Sequence, residues 1–147
     1  MKKLLLFTAS IFAIMSVMGQ ASNDTSQIKA LLEKESATWR SGDLKAHADC
    51  WHIQPYSKIL VSLADGKCYD VPAETIMHPA QGMMGNGGIS VNTNYLFSIH
   101  GDNAWVSHDE KSTGKDGTVT YSHEIRMLEK INNVWKLVAQ SIHIYQP

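Results

Sequence analysis

Apolar residues along this chain recur with two different periods. Between Asn23 and Arg40 the spacing is helical: Ile28, Leu31, Leu32 and Trp39 share one stripe, and Glu35 falls on it too. Asp24 or Thr25 is placed to cap this helix, with Gln27 three residues after Asp24 in a capping-box arrangement. Ser41-Gly42 ends it, glycine supplying the left-handed residue. A shorter helix is expected from Asp43 to about Trp51, with Leu44, Ala48 and Trp51 on its apolar side and His47 one turn before Trp51. Pro55 marks its exit.

Beyond Pro55 the period drops toward two. Ile59 to Leu63 reads as a strand, Asp65-Gly66 as a two-residue hairpin turn, and Lys67 to Tyr69 as a short return strand. Asp70 and Pro72 open a third short helix, which Pro79 ends. Residues 82–88, Gly82-Met83-Met84-Gly85-Asn86-Gly87-Gly88, lack the Lys-Ser/Thr of a phosphate loop and read as a mobile loop. Longer strands follow: Ile89 to His100 and Asn103 to Lys111 around Gly101-Asp102, a polar loop from Ser112 to Gly117, then Thr118 to Ile131 and Val134 to Tyr145 around Asn132-Asn133.

The last two strands make a long hairpin whose faces can be assigned. With a two-residue turn, Leu128 opposes Leu137, Arg126 opposes Ala139, Glu124 opposes Ser141, Ser122 opposes His143, and Thr120 opposes Tyr145. That face is apolar near the turn and carries Arg126, Glu124, His143 and Tyr145 farther out. The opposite face holds Tyr121, His123, Ile125, Met127, Val138, Gln140, Ile142 and Ile144, with Glu129 facing Lys136. It is too apolar to be left in water, so both faces need a cover: helices on one, a loop or a second subunit on the other.

The chain of 147 residues supports one domain with a real core. Residues 1–21 stand apart from it. Met1-Lys2-Lys3 followed by the apolar run from Leu4 to Met18 and by Gly19-Gln20-Ala21 reads as a cleaved signal peptide, with the mature domain, 22–147, starting near Ala21 or Ser22. The run of roughly 15 residues falls short of the roughly 20 that a spanning helix needs. A secreted or periplasmic protein follows, without membrane attachment after cleavage. Loss of Lys2 and Lys3 lowers the 13 basic residues further below the 14 acidic ones, which argues against nucleic acid as a partner. Cys50 and Cys68 permit one disulfide or two buried thiols; sequence leaves both open. The seven histidines show no i, i+4 pair and no His-x-His, so no metal site or cofactor is expected.

The order of elements resembles the SnoaL-like branch of the nuclear-transport-factor-2-like superfamily. The residues that carry the resemblance are Trp39-Arg40-Ser41-Gly42-Asp43, Asp65-Gly66, Gly101-Asp102-Asn103-Ala104-Trp105-Val106, and Arg126-Met127-Leu128-Glu129-Lys130 followed by Trp135-Lys136-Leu137-Val138. Glu124-x-Arg126 with Trp135 nine residues on is also similar to the association domain of calcium/calmodulin-dependent kinases. The resemblance implies an α+β fold: a cone-like, strongly bent antiparallel sheet wrapped around the N-terminal helices, with a cavity between them. In the association domain the matching Arg lines the pocket. The superfamily includes isomerases, dehydratases and cyclases, and binding or assembly modules without chemistry, so fold leaves function open. The first helix has no Tyr on its apolar stripe, a departure from the isomerase pattern.

Three functional readings stand on these residues. The first is a secreted domain that binds a small molecule between the first helix and the sheet, an organic anion being one candidate, with Arg126 as its anchor. The alternative for Arg126 is an ion pair with Glu124 or Glu35. The second reading is an enzyme of the isomerase, dehydratase or cyclase type, with His143, Glu35 or Glu124 as the candidate acid or base. The third is a dimerisation or assembly module without ligand. The expected pocket is Arg126, Glu124, His143, Tyr145, Glu35, Trp39 and Trp51, and a homodimer is expected through the outer sheet face.

Overall fold

The computed structural model describes residues 23–147; the signal-peptide assignment lies outside them. Residues 23–41 form helix α1, in which Asp24 and Thr25 are already helical. Asp24 is buried, and its Oδ1 accepts from Trp135 Nε1 at 3.1 Å and Lys130 Nζ at 2.6 Å, which ties the start of the helix to the last hairpin. Helix α2, Leu44–Ala48, is capped by Asp43, whose Oδ1 accepts from the Ala46 amide at 3.0 Å. Its inward residue is His47, fully buried, whereas Leu44 is 42% exposed. The apolar stripe expected on this helix is therefore rotated: the His47 ring, wedged between Trp39 and Trp51, fills the core position.

Strands β1 (Ile59–Ser62) and β2 (Cys68–Val71) are joined by a wider turn than expected. The Gly66 amide bonds to Leu63 O and the Leu63 amide to Lys67 O, so the loop has three residues, and only Gly66 has positive φ (85°). Helix α3 is a single turn, Glu74–Met77, and the long strands are β3 (Gly88–His100), β4 (Asn103–Gly114), β5 (Val119–Ile131) and β6 (Val134–Tyr145). Asn132 and Asn133 both adopt positive φ (50° and 64°), as a type I′ turn requires.

One sheet runs in the order β2-β1-β6-β5-β4-β3. It is mixed rather than wholly antiparallel, because β1 lies parallel to β6. Its covered face packs on α1: Ile28 and Leu32 meet Val106, Leu128, Trp135 and Leu137 in one buried cluster with Cys50, Trp51, Ile59 and Ile76. Cys50 is a free buried thiol, pushed up to about 11 by burial, and Cys68 is free and exposed, so no disulfide joins them.

Two irregularities decide what faces the helix. In β3 an extra residue near Asn94 (φ 56°) separates the pairs Thr93–Asp109 and Leu96–Ser107. In β6 the pairs Leu128–Leu137 and Met127–Ala139 leave Val138 as the extra residue. The hairpin keeps its expected register only near the turn. Beyond Val138, Arg126 pairs with Gln140, Glu124 with Ile142 and His123 with His143. Gln140, Ile142 and Ile144 accordingly share the covered face with Arg126, and His143 and Tyr145 move to the outer face.

Candidate functional site

A cavity of about 260 Å³ lies between α1, the α3 turn and the sheet. Its apolar walls come mainly from Ile59, Val61, Val71, Ile76, Ile142 and Ile144, with Trp39 and Met83 also facing it. Polar groups converge from Glu35 and Ser36 on α1, Thr75 on α3, Arg126 on β5 and Gln140 on β6. A few polar groups in an apolar concavity is the usual make-up of a small-molecule site.

The register of β5 and β6 places Arg126 at the centre. Its Nε donates to Glu124 Oε2 at 2.9 Å, and Nη2 donates to the same carboxylate. Nη1 donates to Gln140 Oε1 and, at 3.4 Å, to Glu35 Oε2. Glu124 also accepts from Ser122 Oγ at 2.8 Å. Burial opposes the charge on Arg126, but Glu124 and then Glu35 more than offset it, so the guanidinium is held above its ordinary value. Burial would raise the Glu124 carboxyl; Arg126, followed by His108, overrides it and holds the group below the usual carboxylate range.

Glu35 is less well served. Apart from the long contact to Arg126, its Oε1 lies 3.7 Å from His47 Nε2, too far for a hydrogen bond, and that nitrogen has no hydrogen-bond partner. His47 Nδ1 lies 3.3 Å from the backbone oxygen of Glu35; a carbonyl only accepts, so Nδ1 carries the proton of that bond. A second ion pair sits at the C-terminal end of α1. Glu110 on β4 accepts from Ser36 Oγ at 2.5 Å and lies 3.6 Å from Arg40 Nη1. Burial, then the charge of Glu124, pushes Glu110 above its usual range. His108, buried and stacked on Tyr95, lies 3.5 Å from Glu124 Oε2, and burial followed by the Arg126 charge holds its imidazole below 6.5.

Of the residues singled out from sequence, Glu35, Trp39 and Arg126 line the cavity, and Glu124 sits behind Arg126. Trp51 belongs to the core instead, its backbone bridged to Leu137. His143 and Tyr145 are on the outer face, where Tyr145 stacks on His123 (4.4 Å between centroids) and His143 Nε2 contacts Ser141 Oγ at 2.9 Å. Neither can serve Glu35 or Arg126 from there. His47, His108, Glu110 and Gln140 were missed. Gln140 had a readable signal: the inward apolar positions of β6 change from odd (Trp135, Leu137) to even (Ile142, Ile144) across Leu137-Val138-Ala139.

The glycine-rich segment is anchored to this site. Gly85 N donates to Trp39 O at 3.0 Å, which also accepts from Gly42 N, and Gly87 N donates to Arg40 O at 2.6 Å, so the segment caps carbonyls of the last turn of α1. Met83 from the same segment reaches the cavity. Among the described residues no group of three or more His, Cys, Asp or Glu side chains is placed to hold a metal ion, and no helix is long and apolar enough to cross a membrane.

No protein-family model and no curated protein matches this sequence. Solved structures do. An NTF2-like protein of unknown function from Shewanella baltica superposes with a TM-score of 0.65 at 13% identity, over 86% of this chain and 97% of that one. An NTF2-like protein with a cystatin-like fold from Novosphingobium aromaticivorans gives 0.65 at 14% identity, over 88% and 87%. A candidate calcium/calmodulin-dependent kinase II association domain from Exiguobacterium sibiricum gives 0.61 at 13% identity, over 84% and 95%. The chain has the nuclear-transport-factor-2-like fold, an α+β architecture of N-terminal helix and six-stranded mixed sheet. Identities this low establish the fold alone.

Proposed function

We propose that this chain is a secreted or periplasmic small-molecule-binding domain that works as a homodimer. The observation that carries the binding reading is the 260 Å³ cavity, whose walls are apolar and whose one polar end is built on a buried, hydrogen-bonded network. The basic start and apolar run of residues 1–18 support export. The apolar outer face supports the dimer.

A screen of small organic molecules by thermal shift tests the binding reading. Binders should raise Tm in a concentration-dependent way by mass action. Val61→Phe, which fills the cavity from its β1 wall, should abolish those shifts. Shifts that persist in a folded Val61→Phe protein would place the binding elsewhere. A second reading, an enzyme using Glu35 as acid or base, is favoured by one observation: the Glu35 carboxylate borders the cavity beside a histidine nitrogen without a hydrogen-bond partner.

A further inference from the structure

We infer that the polar end of the cavity selects a ligand bearing a hydrogen-bond donor, a hydroxyl or an amine, and rejects a carboxylate; this rests on the binding reading above. The argument is one of capacity. Among the described residues that line the cavity, Arg126 is the only cation. Four of its five N–H groups already donate, Nε and Nη2 to Glu124 and Nη1 to Gln140 and Glu35, so one Nη2–H is left and no edge of the guanidinium can take a carboxylate through two parallel bonds. The other guanidinium nearby, Arg40, is turned to Glu110 and Ser36.

Charge counting points the same way. Three carboxylates meet two guanidiniums in this region. Glu124 takes Arg126 and Glu110 takes Arg40, each with a hydroxyl partner as well. Glu35 is left over. It is 4% exposed, and its side-chain contacts are the 3.4 Å approach of Arg126 and the 3.7 Å approach of His47. A buried carboxylate with so little donation retains acceptor capacity, and it borders the empty space. A ligand carboxylate placed beside it would meet like charge in a poorly solvated site; a hydroxyl or ammonium would supply the missing donor. The groups facing Glu35 are His47 on α2, Arg126 on β5, itself held by Glu124 and Gln140, and the Cys50 thiol after α2. None of them offers a second strong donor to it. The apolar walls would hold a compact hydrocarbon body.

Three probes with one carbon skeleton test this: cyclohexylmethanol, cyclohexylmethylamine and cyclohexanecarboxylate, titrated by calorimetry and by NMR against the protein. The alcohol or the amine should bind at least about tenfold tighter than the carboxylate, the worth of one charge-assisted hydrogen bond. The order of alcohol and amine then distinguishes a neutral from a cationic ligand. Glu35→Gln should erase that preference while Val61→Phe abolishes all binding. Tighter binding of the carboxylate, or a preference unchanged in folded Glu35→Gln, overturns the inference and leaves the cavity reading intact. Failure of all three probes, with no hit in the wider screen, overturns both.

Discussion

Arg126 illustrates how a buried charge is kept in an apolar fold. The guanidinium loses hydration, and Glu124, Gln140 and Glu35 replace it with hydrogen bonds. Removing one partner leaves the other charge buried and alone, which costs about 3–5 kcal/mol. Arg126→Met should therefore lower unfolding free energy by that order in urea, and the double variant Arg126→Met/Glu124→Leu should recover a good part of the loss. Additive losses would show that the two side chains do not depend on each other. His108 carries a second expectation. Its folded-state imidazole is held below 6.5, so as pH falls through 6.5 the unfolded chain takes up a proton that the folded chain refuses. Stability from this group is fully present above 6.5 and is lost as pH falls toward the lowered value. Glu110 acts oppositely: its raised carboxyl accepts a proton in the fold first, which returns stability between that value and 4.5. Urea midpoints from pH 8 to 5 should fall less steeply in His108→Gln than in the native protein.

At the scale of elements, the pieces themselves were legible and their relations less so. The helix from Asn23 to Arg40, the Asp43 cap and the Asn132-Asn133 turn follow from local chemistry that tertiary packing leaves unchanged. The pairing near the turn, Leu128 with Leu137 and Glu129 with Lys136, follows from it too. The bulge at Val138 has no such local mark, because any residue can occupy it and no glycine stands there; only the change of the inward apolar positions from odd to even across it gives it away. One extra residue sends His143 and Tyr145 outward, two of the seven residues expected in the site, and brings Gln140 in. His47 was obscured for a different reason: a short helix offers too few apolar residues to fix its inward side. The glycine-rich segment was also misread as free, since backbone amides that cap another helix leave no side-chain signature. A Cβ on Gly85 would sit 2.7 Å from the Arg40 carbonyl oxygen. Gly85→Ala should therefore push the segment off the end of α1 and lower stability by about 1–3 kcal/mol, the usual cost of forcing an atom into packed space. Hydrogen exchange at the Gly87 amide should speed up in that variant. Unchanged exchange would mean that the anchor survives.

For the whole molecule, the outer sheet face is the unexplained surface. On β3, β4 and β5 it shows Leu96, Trp105, Ile125 and Met127, with Trp105 and Met127 44% and 52% exposed on neighbouring strands in register. A shallow groove beside them, lined by Tyr56, His100, Ala139 and Glu129 among others, is open to water in a single chain. Contiguous apolar area of this kind marks an interaction surface more often than bare solvent. A two-fold pairing of this face with itself is the simplest closure, because the same patch on both subunits satisfies both at once. Such a pairing would leave the cavity untouched, since the two lie on opposite faces of one sheet. The mature chain should sediment as a dimer at micromolar concentration. Met127→Lys places a charge at the centre of the patch and should yield a folded monomer, with the thermal shifts of cavity ligands retained. A native chain that stays monomeric at high concentration would leave this face for another partner.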